Sequence, residues 1–315
     1  MTLSELVYVV AVADHQNFVK ASNHCFVTQP TLSMQIKKLE EELGVVIFDR
    51  SRQPVVPTQA GEAIIEQART VLREANRLEE IARETQAFVG GEYKLGIIPT
   101  LAATVLPLFL QSFHTRYPAV KLVIQEVQTE VMLEMLAQDK LDSGIAATPL
   151  LSKEITERPI FYEPFFLYAS PQHPFAKKKK IHEVDLAGQE VWLLNEGHCF
   201  RNQVVELCGL QQRKETPSNL RFESGNLNTL MRLVEQHFGM TLLPQLVVHE
   251  LSPEKQKAMV RPFAAPVPMR EVSLIHRRQY VKERITNLLY DEILSGLPKN
   301  VTTKKDAQSN LLNPF

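Results

Sequence analysis

The stretch that decides the fold of the first sixty residues is VTQPTLSMQIKKLEEELG, residues 27–44. On an α-helix of about 100° per residue, four apolar side chains fall within about 40° of one another, which predicts one buried face. They are Leu32, Ile36, Leu39 and Leu43. Thr28 is placed to cap this helix, and Pro30 falls in its first turn, where proline is tolerated.

The opposite face of this helix carries polar and basic side chains suited to DNA. It comprises Pro30, Thr31, Ser33, Met34, Lys37 and Lys38, with Gln29 at the exposed N-terminal end. Recognition helices direct that end at base edges, and lysines farther along suit phosphates. A purely structural amphipathic helix would have the same periodicity, so the flanking sequence must decide between the two interpretations.

The flanking residues complete a winged helix-turn-helix pattern. Thr2 and Glu5 have the spacing of a capping box for a first helix, and a second helix is predicted from about Phe18 to Cys25. Residues 44–48 predict a short apolar strand, and residues 49–58 double back like a hairpin wing with two arginines at its tip. Such a wing can contact the adjacent phosphates or the minor groove.

Composition excludes several classes of protein. The 315 residues, of which 44% are hydrophobic, suit about two globular domains. No apolar run reaches the roughly 18 to 20 residues of a membrane span, and the N-terminus lacks a secretion signal, so we expect a soluble cytoplasmic protein with no membrane partner. The nine histidines form no HxxxH or HExxH pair, so no metal or other cofactor is expected.

Net charge by itself does not indicate DNA binding. The chain has a net charge of −1, and residues 1–58 hold five basic against six acidic side chains. A basic footprint is the usual electrostatic sign of a nucleic-acid partner. The prediction of DNA binding therefore depends on where a few basic groups lie.

Four runs of residues resemble the LysR-type transcriptional regulators: FVKAS (18–22), VTQPTLS (27–33), LEEELG (39–44) and FDR (48–50). The resemblance implies that residues 1–58 form a winged helix-turn-helix that binds double-stranded promoter DNA as a dimer and acts with RNA polymerase. It also implies which side chains lie at the DNA: Gln29, Pro30, Thr31, Ser33, Lys37 and Arg50.

Residues 59–90 predict a long linker helix that pairs with a second copy of the chain. Apolar residues recur at positions 64, 68, 71, 75, 78 and 82, the intervals of a heptad seam. We expect a homodimer through this helix and a homotetramer beyond it, because two recognition helices must be held one or more DNA turns apart. A lone helix packed on its own domain is the alternative, and Gly90 and Gly91 mark the domain boundary.

Residues 91–298 alternate apolar strands with helical stretches, which predicts an α/β domain with a mainly parallel sheet. Two such sets predict two lobes, lobe I at about 91–161 and 268–298 and lobe II at about 162–267. This arrangement resembles the periplasmic-binding-protein-like sensor domain of LysR-type regulators, with a ligand in the cleft between the lobes. The polar tail, residues 299–315, is expected to be flexible.

The three cysteines are too few for a disulfide-stapled secreted protein. Cys25 is expected to be a small buried core residue. Cys199 lies near the predicted start of a helix, where the helix N-terminus and Arg201, with His198 as a hydrogen-bond donor, should lower the pKa of its thiol toward neutrality. Oxidation would give a sulfenic acid, for which Cys208 is the nearby second thiol. Two buried structural cysteines are the alternative.

The run GHCFRNQ, residues 197–203, and the spacing to Cys208 resemble the sensing segment of the peroxide-responsive LysR-type regulators. The resemblance implies an activator of oxidative-stress genes in which hydrogen peroxide oxidises Cys199, the peroxidatic residue, and Cys208 resolves it to a disulfide. It implies a peroxide pocket formed or supported by Thr100, Thr129, His198 and Arg270. Asn202 departs from the aspartate expected at its position.

Two other functions stay open. A LysR-type regulator could respond to a small organic acid in the interlobe cleft, and it would do so with both cysteines replaced. A thiol peroxidase would turn over peroxide without DNA, which the helix-turn-helix disfavours. We therefore expect a regulator rather than an enzyme.

Overall fold

The computed structural model of the chain describes residues 1–84, 89–209, 224–237, 239–278, 282–304 and 309–314. The chain divides into two compact units, Met1–Phe88 and Val89–Phe315. Among the described residues, no helix combines the length and the apolar character needed to cross a membrane.

The first unit begins with the helices α1 (Leu3–His15), α2 (Phe18–His24) and α3 (Gln29–Leu43). A side chain caps the N-terminus of each helix, and the capping box of α1 and the threonine cap of α3 confirm the sequence predictions. The capping residues are Thr2, Asn17 and Thr28. These caps fix the short turns that bring the three helices together.

The buried face of α3 follows the predicted spacing with one exception. Leu32, Ile36 and Leu39 have no exposed surface and pack in the core of the first unit. Leu43, which was predicted to face the core, is 40% exposed. It is the last residue of α3, directly before Gly44 ends the helix in the left-handed region at φ 67°.

A short hairpin follows α3 and confirms the predicted wing. Its strands β1 (Phe48–Asp49) and β2 (Val56–Pro57) pair antiparallel. The prediction of a strand over residues 44–48 is wrong, because pairing begins only at Phe48 and Val46 is 61% exposed. The backbone of Ile47 instead lies so close to Gly61 that any side chain at that glycine would clash with its carbonyl oxygen.

The linker helix α4 (Gln59–Glu84) spans 26 residues. The first half of the predicted seam packs on the first unit, with Ala68 3% exposed and Ile64 and Val71 half-buried. Leu78 of the same seam is 72% exposed. The side chain at position 82 and the predicted continuation over residues 85–88 lie outside the described residues.

The second unit opens with lobe I, in which helices cover a small sheet. Strand β3 (Gly91–Ile97) pairs in parallel with β4 (Val120–Glu126) and β5 (Ser143–Thr148). Helices α5 (Pro99–Arg116) and α6 (Thr129–Ala137) connect these strands. This parallel β-α-β-α-β order is the one that the sequence predicts.

Two long strands cross from lobe I to the second lobe. Strand β6 (Ile155–Ala169) pairs antiparallel with β9 (Val267–Arg277) and then, from Phe165, with β7 (Met240–Pro244) and β8 (Val260–Pro262). The prediction of a mainly parallel sheet is therefore wrong, since β6 pairs antiparallel with β7, β8 and β9, and β9 also pairs antiparallel with β5. The order of strands along the sequence does not reveal the direction of a returning strand.

Lobe II is built around its own hydrophobic cluster and carries the helices α7 (Cys199–Leu207), α8 (Leu227–Glu235), α9 (Gln245–His249) and α10 (Pro253–Met259). Two short 3-10 helices, Pro174–Lys177 and Glu183–Leu186, join β6 to this region. Residues 190–194, predicted as a strand, form only isolated bridges at Val191 and Leu194. Helix α11 (Glu283–Gly296) returns to lobe I.

The tail, for which the sequence predicts flexibility, packs against the second unit at the described residues 309–314. Strand β10 (Ser309–Leu311) pairs in parallel with β9. Leu312 is 2% exposed within the cluster of lobe II, and its backbone N–H donates to Met269 O at 2.9 Å. Burial of one leucine is worth about 1.5–3 kcal/mol, so the polar tail contains its own anchor.

Candidate functional site

The exposed face of α3 is available for contact in the first unit. Gln29, Pro30, Thr31 and Lys37 are exposed, and Ser33 is half-buried. The Lys37 ammonium lies 3.7 Å from Glu41, but both side chains are about 70% exposed, so this ion pair holds the lysine only weakly. The face therefore offers polar groups near its N-terminus and the exposed lysines Lys37 and Lys38 farther along.

Arg50 of the wing is held by the protein itself. Its Nη1 donates to Ser33 Oγ at 3.0 Å, and its Nη2 donates to Glu40 Oε2 at 2.9 Å. The other oxygen of Glu40 accepts from the backbone N–H groups of Ile47 and Phe48 at 2.8 and 3.2 Å. Glu40 thus joins the recognition helix to the base of the wing, and Arg50 orients Ser33 within this network.

Sequence reasoning missed Glu40, because three consecutive glutamates at positions 40–42 gave no sign that one of them is buried. Arg52, the second arginine of the wing, is 71% exposed and pairs with Asp49 at 3.2 Å.

Cys25, predicted to be buried, is half-buried at the end of α2. Cys25 is the C-cap of α2 and lies outside the helix proper.

The two cysteines of lobe II lie at opposite ends of one helix. Cys199 is the first residue of α7, His198 is its N-cap, and Cys208 is its C-cap. Both thiols are free, with Cys199 6% and Cys208 5% exposed. Cys199 packs in the hydrophobic cluster of lobe I, whereas Cys208 packs in that of lobe II. Helix α7 therefore holds the two thiols against different lobes.

A buried ion pair supplies the positive charge that acts on the Cys199 thiol. Arg270 on β9 and Glu163 on β6 are both fully buried, and Arg270 Nε donates to Glu163 Oε2 at 2.8 Å. Nη1 of Arg270 donates to Thr100 Oγ1 at 3.1 Å, near the start of α5. The second oxygen of Glu163 accepts from the backbone N–H of Leu246 at 2.7 Å. The pair thus fixes the guanidinium between two strands and a helix.

The environment of Cys199 contradicts the expectation of a lowered thiol pKa. Burial raises the pKa of Cys199, and the charge of Arg270, a hydrogen bond from the Thr129 hydroxyl and the backbone N–H of Phe200 act in the opposite direction. Desolvation wins because the thiol is enclosed and a thiolate there would lose its hydration. The Thr129 hydroxyl is buried beside this thiol, and among the described residues it has no other protein hydrogen-bond partner.

The two neighbours proposed from sequence act differently than expected. Arg201 points to Glu196, 3.8 Å away, and the cation that acts on the Cys199 thiol is Arg270. His198 is 6% exposed, and burial lowers the pKa of its imidazole although the carboxylate of Glu126 opposes that shift. His198 is therefore a neutral ring at pH 7, which donates a hydrogen bond from one ring nitrogen and accepts one at the other.

Sequence reasoning also missed Glu163. The sequence did contain a clue to the role of Glu163, because it is the one carboxylate in the otherwise apolar run IFYEPFFLYA, residues 160–169. A charged residue inside a buried strand needs a partner of opposite charge. The partner lies 107 positions away, at Arg270, and no local pattern connects the two.

A cavity of about 220 Å³ opens between the lobes beside Thr100. It is lined by residues of α5, β4, the start of α8 and α9, and its charged lining residues are Glu126 and Glu250. Burial raises the pKa of Glu250. Thr100 belongs both to the lining of this cavity and to the hydrogen-bond network of Arg270.

A winged helix-turn-helix with a long helix, followed by a two-lobed α/β domain with a pocket, defines a DNA-binding regulator with a sensing domain. Residues 3–62 match the family described as "Bacterial regulatory helix-turn-helix protein, lysR family", and residues 86–297 match "LysR substrate binding domain". The chain belongs to the lysR family of bacterial regulators.

Two related proteins carry names that describe a regulator of gene expression. The chain is 35% identical to the "Hydrogen peroxide-inducible genes activator" of Haemophilus influenzae over 94% of this chain and 99% of the relative. It is 37% identical to the "DNA-binding transcriptional dual regulator OxyR" of Escherichia coli over 88% and 90%. Solved structures of OxyR also match the chain.

The full-length OxyR variant from Pseudomonas aeruginosa has a TM-score of 0.76 at 35% identity, covering 97% of this chain and 99% of that one. The peroxide-bound mutant OxyR of Corynebacterium glutamicum has a TM-score of 0.61 at 26% identity, covering 94% and 92%.

Proposed function

We propose that this chain is a cytoplasmic, redox-responsive transcription regulator that senses hydrogen peroxide through oxidation of Cys199 and a Cys199–Cys208 disulfide, and that controls oxidative-stress genes. One observation carries the proposal. A buried thiol, a buried guanidinium and a buried hydroxyl, those of Cys199, Arg270 and Thr129, act on one another at the start of a helix that ends at a second thiol.

The oxidation proceeds in two balanced steps. The Cys199 thiolate attacks one oxygen of hydrogen peroxide, the O–O bond breaks, and the leaving hydroxide takes up a proton and departs as water, which leaves a sulfenic acid. The Cys208 sulfur then attacks the Cys199 sulfur, the S–O bond breaks, and the hydroxyl leaves with the Cys208 proton as a second water. Peroxide is reduced by two electrons, which the two thiols supply.

The pocket residues have distinct tasks in the first step. Arg270 stabilises the thiolate against the cost of burial, and the Thr129 hydroxyl donates to the same sulfur or to the bound peroxide. Neutral His198, next to Cys199, can hydrogen-bond the second peroxide oxygen as that oxygen becomes hydroxide. Thr100, held by Arg270, lines the interlobe cavity.

The second step requires a change of conformation. Nine residues of α-helix span about 13.5 Å along the axis, whereas a disulfide tolerates at most about 7 Å between Cα atoms. Helix α7 and the Cys199–Cys208 disulfide are therefore mutually exclusive. Breaking α7 would release Cys199 from lobe I and rearrange residues that pack in lobe II.

The signal would reach DNA through the assembly of subunits. The exposed Leu78 on the seam of α4 suits a homodimer through this helix, and pairs of sensor domains would complete a homotetramer. A change at α7 would alter the spacing of recognition helices on the promoter and hence the contact with RNA polymerase. The polar face of α3, with Gln29, Pro30, Thr31, Ser33 and Lys37, would contact the DNA, and Arg50 would hold Ser33 in place.

Peroxide titration with thiol mapping and DNA footprinting on the same sample tests this function. We expect the footprint to change in parallel with the Cys199–Cys208 disulfide, to stay unchanged in Cys199→Ser, and to change normally in the control Cys25→Ser. A response to a small organic acid in the Cys199→Ser variant would contradict the proposal. The carboxylates of Glu126 and Glu250 in the cavity disfavour such an anionic ligand. Sustained peroxide turnover without a footprint would indicate a thiol peroxidase instead.

A further inference from the structure

The C-terminal segment 309–314 occupies a groove between α7 and the edge of β9. Strand β10 pairs with β9 from Ser309 opposite Val267 to Leu311 opposite Met269, the residue that directly precedes Arg270. Leu312 is then buried in the same cluster as Phe200 and Val204 of α7. The segment therefore touches both the strand that carries Arg270 and the helix that carries Cys199.

Three side chains of α7 make hydrogen bonds to this segment. Asn202 Nδ2 donates to Pro314 O at 3.3 Å, and Gln203 Nε2 donates to Leu312 O at 3.2 Å. The backbone N–H of Asn313 donates to a carboxylate oxygen of Glu206 at 3.2 Å. All three bonds require that positions 202, 203 and 206 lie on one side of an intact helix.

Gln203 shows how closely the segment covers the helix. Its side chain has no exposed surface, and within the described part of the chain its Oε1 has no hydrogen-bond partner. The Leu312 carbonyl is thus a hydrogen-bond partner on which the buried amide depends. An amide that is buried with half of its capacity unused is costly, and losing the other half would increase that cost.

We propose that the groove between α7 and β9 is a docking surface for the chain's own C-terminal segment, residues 309–314, and that this docked segment must leave α7 before Cys208 can reach Cys199. This inference rests on the proposed redox function and adds a step to it. Peroxide oxidises Cys199 while the segment is in place, and displacement of the segment then limits how fast the disulfide closes.

The residue at position 202 is matched to this contact. An asparagine amide can donate to the Pro314 carbonyl, whereas an aspartate would place two acceptor oxygens against a third. Asparagine here, in place of the aspartate expected from the resemblance, therefore favours the docked segment. Asn202→Asp should loosen the segment without weakening α7, because an acidic residue in the first turn of a helix is favourable.

The test separates oxidation of Cys199 from closure of the disulfide. The reduced full-length chain is mixed with peroxide and quenched at intervals, and mass spectrometry follows the sulfenic acid, trapped with dimedone, and the disulfide. In Leu312→Ala and in a chain that lacks residues 309–315, we expect sulfenic acid at the native rate. Disulfide closure should be about two- to tenfold faster for each hydrogen bond to α7 that the change removes or weakens. The matched control Leu311→Ala, at the half-buried neighbour, should close at the native rate.

Native closure rates in both Leu312→Ala and the shortened chain would overturn the proposal. Should the shortened chain fail to fold, Leu312→Ala and Asn202→Asp decide the outcome by the same measurement. Carboxypeptidase digestion of the native chain gives a second readout, with faster release of the C-terminal residues expected after oxidation than before. Equal release in the two states, with the disulfide formed, would overturn the docking step alone. A native chain that forms no Cys199–Cys208 disulfide under peroxide would overturn the proposed function as well.

Discussion

Replacing Arg270 with methionine removes a fully buried guanidinium that faces Glu163 and acts on the Cys199 thiol. The change leaves the Glu163 carboxylate buried without its partner, and breaking a buried pair on one side costs about 3–5 kcal/mol. Each kcal/mol lowers the melting temperature of a domain of this size by about 2–4 °C, so we expect a decrease on the order of 10 °C.

The same substitution should also change the chemistry of the thiol. Arg270 opposes the increase that burial causes in the pKa of Cys199, so its loss raises that pKa further. Below the pKa of a thiol, the thiolate fraction falls about tenfold for each unit of separation from the pH. We therefore expect the alkylation rate of Cys199 to increase with pH through the neutral range in the native chain, and the whole profile to shift to higher pH in Arg270→Met.

A double variant separates the structural role of Arg270 from its chemical role. In Arg270→Met with Glu163→Gln, no charge is left buried, and the new amide can still accept from the Leu246 N–H. Stability should largely return, because replacing both partners of a buried pair is often nearly neutral, while Cys199 should remain slow to react. Arg201→Met, at the arginine that pairs with Glu196, is the matched control and should change neither quantity.

Thiol alkylation with iodoacetamide, mapped by mass spectrometry between pH 6 and pH 9, measures the reactivity of Cys199. Cys25 in the same sample serves as an internal reference. The reasoning about Arg270 would be refuted if the double variant alkylated at Cys199 with the native rate and the native pH profile. An alkylation rate of native Cys199 that did not change between pH 6 and pH 9 would mean that the thiol is already ionised below pH 6. That result would contradict the raised pKa that follows from its burial.

Three further predictions concern DNA contact and the second oxidation step. Lys37→Ala should weaken DNA binding to all sequences and reduce the slope of log affinity against log salt concentration by about one, whereas Ser33→Ala should relax the sequence preference. Footprints over a salt series measure both effects. Unchanged footprints in both variants would show that this face of α3 does not contact DNA. Glu40→Gln should lower the stability of the first unit by about 1.5–3 kcal/mol in thermal unfolding, because a charged hydrogen bond to the wing is removed; an unchanged unfolding curve would show that the wing is held otherwise. Cys208→Ser should stop at the sulfenic acid of Cys199 and leave the footprint in its reduced form, and a full footprint change in that variant would exclude the disulfide as the signal.

Local patterns predicted the first unit well. The caps at Thr2 and Thr28, the buried face of α3 and the hairpin wing all follow from residues a few positions apart. The error at Leu43 arose because helical periodicity says which face a residue occupies but not how much of that residue is covered at the end of the helix. The positions of Cys199 and Cys208 at the two ends of α7 were also predictable, since the spacing of nine residues is a local property.

The features that sequence reasoning missed depend on contacts between distant residues. The raised pKa of Cys199 results from its enclosure by lobe I, and its cation comes from β9 rather than from Arg201. The partners Glu163 and Arg270 lie on different crossing strands, and their antiparallel pairing is not encoded in the order of strands. The tail has no periodicity, so its sequence gave no sign of the contacts that bury Leu312 in the cluster of lobe II.

Amide hydrogen exchange across residues 199–208 tests the central claim most directly, because α7 cannot coexist with a Cys199–Cys208 disulfide. In the reduced chain, the helical N–H groups of this segment should be protected. After one equivalent of peroxide, we expect that protection to disappear in step with disulfide formation, and to be retained in Cys199→Ser treated in the same way. Equal protection before and after the disulfide forms would contradict the account.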